Sequence, residues 1–147
     1  MEDDIKSSFG LIWPRHVSSL TELLIAARKA FDGDLDLFLV LAVIGDRTFS
    51  QRHVDPDMQY KQWQAEGAVK TRPEDINIRS IAAYSGIPRE TVRRKLAILV
   101  EKGWIEREGG ELIKATRKAR EDLEPLTEAS IKYLDRMFRL LEPLKQK

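Results

Sequence analysis

The stretch from Ile78 to Ala115 constrains the fold more than any other part of the chain, because several local signals follow one another in a fixed order. Ile78, Ile81 and Ala82 give one apolar side to a short run that stops at Gly86, a residue that tolerates the left-handed backbone of a tight helix exit. Ile87-Pro88 follows, supplying one apolar residue and a proline suited to the first turn of a second helix. Val92, Leu96, Leu99 and Val100 then recur at helical spacing between Arg89 and Lys102, and Gly103 ends that helix. Beyond it, Trp104–Glu108 and Glu111–Lys114 flank Gly109-Gly110, which predicts a two-residue β-hairpin. Just upstream, Pro73-Glu74-Asp75 marks a turn or helix start. Ile76-Asn77 is expected as a short strand, and Asn77 or Ser80 opens the first helix.

The rest of the chain reads as helices. Met1 to about Val17 lacks sustained periodicity and carries Trp13-Pro14, so it is expected to be an irregular arm. Ser19 and Glu22 have capping-box spacing, which places a helix start there. Leu20, Leu23, Leu24, Ala27 and Phe31 continue one face. Asp32-Gly33-Asp34 breaks that helix and Asp34 caps the next, Leu35 to about Arg47, whose nearly all-round apolar character predicts a buried helix. Residues 48–72 are polar, with a turn at Asp55-Pro56-Asp57 and a short helical piece at Tyr60 and Trp63 closed by Gly67. From about Thr116 to Leu144 the chain is helical again, with Pro125 as a break or helix start. Two adjacent stripes run along it: Leu123, Leu126, Ser130, Tyr133, Met137, Leu140 and Leu144, and beside them Ile131, Leu134, Phe138 and Leu141. The organisation expected is residues 1–68 as N-terminal arm and helices, 69–116 as the specific central region, and 117–147 as C-terminal amphipathic helices, together one compact domain.

Charge is distributed unevenly. The 147 residues have a net charge of only +1, which by itself gives no hint of a polyanionic partner. Residues 69–120, however, hold 13 basic and seven acidic side chains, a local balance of +6, leaving −5 on the remainder. Such asymmetry is expected where one region meets a polyanion. The absence of cysteine excludes disulfides, thiolate metal sites and cysteine nucleophiles, and fits a cytoplasmic protein. The start, MEDDIKSSFG, is acidic where a signal peptide would be basic and then apolar. The longest apolar run, Leu37–Ile44, is eight residues, well short of the ~20 a membrane span needs.

Short helix, glycine turn, basic helix and hairpin, in that order, resemble a winged helix-turn-helix. Counting from Gly86, Ala82 lies four residues earlier, where a small side chain lets two helices cross closely. Ile87 follows as the buried turn residue and Val92 as an inward residue of the second helix. The run from Gly86 to Leu96, with Leu99 and Gly103-Trp104-Ile105, is similar to the DNA-binding end of Crp/Fnr-type regulators. Lys95 departs from that pattern, standing where the family places an apolar residue, and its stem can snorkel along apolar surface. Helices before the motif, a wing, and long amphipathic helices after it resemble the MarR family in layout. The winged-helix resemblance covers about residues 74–116, and what precedes it is too short for a cyclic-nucleotide barrel.

The resemblance implies a mainly α fold: a winged helix-turn-helix with a small β-hairpin wing, flanked by N- and C-terminal dimerisation helices. It also implies a homodimer that binds double-stranded DNA sequence-specifically and regulates transcription. Positions matching base-reading residues are Arg89, Glu90 and Arg94. Arginine can pair bidentately with guanine O6 and N7, and glutamate can accept from cytosine N4. Thr91 and Arg93 are expected at the phosphate backbone, with Arg79 and Ser80 near the first helix's start and Arg107 and Lys114 on the wing. A small-molecule effector is a further expected partner, against Trp13, Phe38, Tyr60 and Trp63, although aromatics at such spacing more often form core.

Other constellations are weak. His16 and His53 are the only histidines, and the run from His53 to Asp57 fits a polar turn better than a metal site. Asp32, Asp34 and Asp36 read as helix caps. No Ser-His-Asp set or phosphate-binding glycine loop is present, so no metal, cofactor, membrane partner or enzymatic reaction is expected. The competing reading is a winged-helix protein-interaction scaffold without a specific DNA site.

Overall fold

The computed structural model describes residues 1–48, 54–67, 76–108 and 112–146. Two compact units emerge, Met1–Gly33 with Glu124–Lys147, and Asp34–Leu123. This grouping differs from a division at 68 and 116, because the helix after Asp34 packs with the central region.

In the second unit, α3 (Leu35–Thr48), α5 (Ile78–Ser85) and α6 (Arg89–Glu101) pack on one another, and α4 (Tyr60–Glu66) lies against α7 (Arg117–Asp122). Strands β1 (Ile105–Glu108) and β2 (Leu112–Ala115) form an antiparallel hairpin with Ile105 opposite Ala115 and Arg107 opposite Ile113. The result is a winged helix. Its core holds Leu37, Val40, Val43 and Ile44 from α3, Ile81 from α5, Val92, Leu96 and Leu99 from α6, and Ile105 and Ile113 from the hairpin. Ile76 and Ile87 close it at the loops.

Local chemistry explains the boundaries. Asp32 and Gly33 both adopt positive φ, which ends the preceding helix, and an Asp34 Oδ1 then accepts the Leu37 N–H at 2.9 Å to start α3. Asp55 forms the expected turn, its carboxylate accepting the Asp57 N–H at 2.9 Å. Gly67, at φ 66°, closes α4. The hairpin signal Gly109-Gly110, with Glu111, lies outside the described residues, as do His53 and Pro73–Asp75.

Four expectations need correction here. Ile76-Asn77 forms no strand, although Asn77 does open α5, as its N-cap. Second, α3 is not buried all round, since Leu35 and Leu39 stay exposed while Leu37, Val40 and Ile44 face inward. Third, the N-terminal region is no arm. It comprises α1 (Glu2–Ser7) and α2 (Phe9–Ala30). Three acids in the first turn of α1 and Lys6 in its last suit the helix dipole. Pro14 removes one N–H inside α2, but the carbonyl it would have met belongs to exposed Gly10, which water can satisfy. Fourth, Ser19 therefore caps nothing: it sits buried in mid-helix, and Glu22 pairs with Arg136 instead.

In the first unit, α2 packs along α8 (Glu124–Leu141), which ends in a short 3₁₀ turn, Glu142–Gln146. Pro125 occupies the second position of α8, where a missing N–H costs nothing. The stripe containing Leu126, Ser130, Tyr133, Met137 and Leu140 is half-buried, and the Tyr133 hydroxyl lies 3.0 Å from His16 Nδ1 on α2. The neighbouring stripe is solvent-facing: Leu134 is 63% and Phe138 57% exposed, with Ile131 also exposed. Phe9, Leu11, Trp13, Val17, Leu24 and Ile25 are exposed on α2. Among the described residues of this unit, Ile12, Ser19, Ala27, Phe31 and Leu144 are buried.

Candidate nucleic-acid interface

The first helix of the motif is held by a reciprocal cap. Asn77 Oδ1 accepts the Ser80 N–H at 2.9 Å, while Ser80 Oγ accepts the Asn77 N–H at 3.1 Å and donates to the Asn77 carbonyl at 3.0 Å. Both polar groups of Ser80 are thus engaged in the cap. Arg79, beside it, projects outward. Gly86 ends α5 at φ 76°, with its N–H on the Ala82 carbonyl at 2.9 Å. A side chain at Gly86 would meet open space, so its backbone angle is what requires glycine. Ser85 secures the turn: its hydroxyl donates to the Ile81 carbonyl at 2.7 Å and accepts the Ile87 N–H at 3.1 Å.

Pro88 then caps α6 at φ −56°, and the helix turns Val92, Leu96 and Leu99 wholly inward. Inward anchoring at this spacing turns Arg89, Glu90, Arg93 and Arg94 out together over the first two turns. Arg93 donates to both Glu90 oxygens, at 3.0 and 2.6 Å, and Arg94 Nη2 reaches Thr91 Oγ1 at 3.4 Å. Hydrogen bonding from Arg93 holds the Glu90 carboxyl below its ordinary range.

The placement of these cations is informative. Arg89 stands in the first turn of α6 beside Glu90, Arg93 and Arg94 follow in the second, and Lys102 is the C-cap. Arg93 pairs with Glu90 and Lys95 with Asp34, while Arg89 and Arg94 are exposed on the same face as Arg93.

The wing is fixed at its base by a small polar network. Thr116 Oγ1 donates to the Gly103 carbonyl at 2.6 Å and accepts the Ala119 N–H at 3.2 Å, capping α7. The Trp104 indole donates to Asp122 Oδ2 at 2.8 Å, and Lys118 also pairs with that carboxylate. Along the hairpin, Lys114 lies opposite Glu106, whereas Arg107 lies opposite Ile113. Strand alternation therefore sends Arg107 and Lys114 to opposite faces of the wing. The pattern thus brings together the α6 residues and does not bring together the two wing cations.

Thr116 and Asp122 as supports of the wing, and the Lys95 ammonium 2.6 Å from Asp34, have no short-range signature in the sequence. Lys95's departure from the apolar pattern was the one available signal. Of the aromatic residues, Trp13 stacks on Phe9 in one unit and Tyr60 on Trp63 in the other. His16 pairs with Tyr133.

Two carboxylates on this scaffold make its stability acid-sensitive. Burial, the largest single influence, would raise Asp34. The Lys95 hydrogen bond, the Leu37 N–H and the Lys95 charge together outweigh it and hold the carboxyl below its ordinary value. Asp122 is lowered first by Lys118 and then by the Trp104 indole. A carboxyl with a depressed folded-state pKa stabilises the fold above its unfolded pKa of about 4 and loses that contribution as pH falls through the folded value. Thermal unfolding should therefore vary little between neutral pH and about 5, then drop below about 4. Asp122→Asn should flatten part of that drop, and an unchanged acid profile would refute the assignment.

Residues 67–109 match the IclR helix-turn-helix domain, a span that takes in α5, α6 and β1 and is under a third of the chain. Neither a search of curated proteins nor one of solved structures returned a match. Fold and match together define the class, a winged helix-turn-helix DNA-binding transcription regulator. Among the described residues, no helix is long and apolar enough to cross a membrane.

Proposed function

We propose that this protein is a cytoplasmic homodimer, MarR-like in layout with a Crp/Fnr-like recognition helix, that binds a specific duplex-DNA site and regulates transcription by occupying it. No chemical reaction is involved. The observation that carries the DNA reading is the exposed cationic face over the first two turns of α6. Arg89, Glu90 and Arg94 read base edges in the major groove. Arg93 and Thr91 meet phosphate, Arg79 and the α5 N-terminus a second phosphate, and Arg107 or Lys114 the strand beside the wing. Ser80 contributes by holding the cap that orients that terminus, and reaches phosphate only by leaving it.

Dimerisation is supported by the first unit. Few of its described residues are buried, and exposed apolar side chains on α2 and α8 await a partner surface. A second copy supplies it symmetrically and carries a second α6 for the other half of a pseudo-palindrome.

The two kinds of contact are separable. Arg94→Ala should cost about 1–3 kcal/mol on the preferred duplex and relax preference at one base pair per half-site. Lys114→Ala should weaken binding to all duplexes alike and reduce the salt slope by about 1. Equal losses for Arg94→Ala on preferred and scrambled duplexes would refute base reading by that residue.

A further inference from the structure

The Lys95 side chain leaves α6 on its half-buried flank, beside Leu96 of the core, and its ammonium sits 2.6 Å from Asp34 Oδ2. Both groups are largely covered, at 21% and 29% exposure. The carboxylate is bifunctional: Oδ2 takes Lys95 while Oδ1 takes the Leu37 N–H that starts α3. One side chain therefore fastens the beginning of α3 to the middle of α6. Arg94, the next residue back along α6, is exposed on the cationic face.

We infer that Asp34 is a positioning residue for DNA reading: through Lys95 it fixes the rotation of α6 about its axis, and so the direction in which Arg94 and Glu90 point. The inference rests on the DNA-reading function proposed above. Apolar contacts of Val92, Leu96 and Leu99 hold α6 against the core, but such contacts are weakly directional. A partly buried charged pair is directional, because moving either group away leaves a charge without its partner in a desolvated place. An apolar residue at position 95 would bury as well and orient less. Asp34 itself touches no DNA in this arrangement; its effect is on discrimination rather than on attraction.

The test compares Asp34→Asn, Lys95→Met and the double variant in the full-length chain. Asparagine keeps the helix cap, and methionine keeps the lysine stem, so both leave the fold intact, which thermal unfolding verifies. The probes are a duplex enriched by the wild-type protein from random DNA and a scrambled duplex of equal composition. The two substitutions change net charge in opposite directions. If the pair positions α6, each lowers the ratio of enriched to scrambled affinity by about tenfold, and the double variant loses no more than either single one. If Lys95 instead contacts phosphate and Asp34 merely competes for it, Asp34→Asn tightens and Lys95→Met weakens binding to both duplexes, overturning the inference. An unchanged ratio in both variants overturns it as well. Failure of the wild-type protein to bind any duplex overturns the DNA-reading function together with this inference, whereas wild-type discrimination with unaffected variants overturns the inference alone.

Discussion

Leu96→Ala is expected to destabilise the Asp34–Leu123 unit by about 2–5 kcal/mol, the range for a large-to-small change in a packed core. Leu96 is wholly buried at the centre of the inward face of α6, between Val92 and Leu99. A cavity there removes contacts that α3 and α5 make with the helix carrying the cationic face. Against a total stability of about 5–15 kcal/mol, that is a large fraction. Urea unfolding should show a lower midpoint with an unchanged slope, and Leu96→Met, which keeps the volume, should cost less than about 1.5 kcal/mol. Near-neutral behaviour of Leu96→Ala would mean that α6 is held from elsewhere.

Leu134→Glu is expected to convert the proposed dimer to a monomer. In a single chain the side chain is 63% exposed, so a charge there meets water and hardly disturbs the α2–α8 pair. In a dimer built on this face, the same carboxylate must be desolvated without a partner, which costs several kcal/mol. Sedimentation should therefore show halved mass at micromolar concentration, and Phe138→Glu should do the same. Because two linked half-site contacts gain about 10²–10⁴ in avidity, affinity for a palindromic duplex should fall by about a hundredfold or more. An unchanged mass would show that the face is covered by something other than a second copy.

What the sequence disclosed depended on distance along the chain. The Asn77 cap, the Gly86 turn, the Pro88 start and the inward spacing of Val92, Leu96 and Leu99 are each set within a few residues, so the winged helix and the cationic face of α6 were legible. At the N-terminus, Pro14 and the Ser19–Glu22 spacing misled for the same local reason. They mimic a break and a cap, while packing of α2 on α8 settles the matter from more than a hundred residues away. The double stripe on α8 was visible, but periodicity alone does not say which stripe faces α2. That depends on Tyr133 meeting His16, which leaves Leu134 and Phe138 outside. Which faces of the wing Arg107 and Lys114 take depends on the cross-strand register, which composition does not give. The tie between Asp34 and Lys95 spans 61 residues and left only an unexplained lysine as its trace.

The central claim is that the cationic face of α6 reads duplex DNA. The most direct measurement is enrichment of bound sites from random duplex DNA by the wild-type protein, with affinity for the enriched site followed across salt concentrations. Base reading by a symmetric pair of α6 helices gives a pseudo-palindromic site whose half-sites are centred about one helical turn apart. It also predicts an affinity at least about a thousandfold above that for scrambled duplex, falling steeply as salt rises. No enriched sequence, together with binding that ignores salt, would contradict it and leave the winged helix as a protein-interaction scaffold.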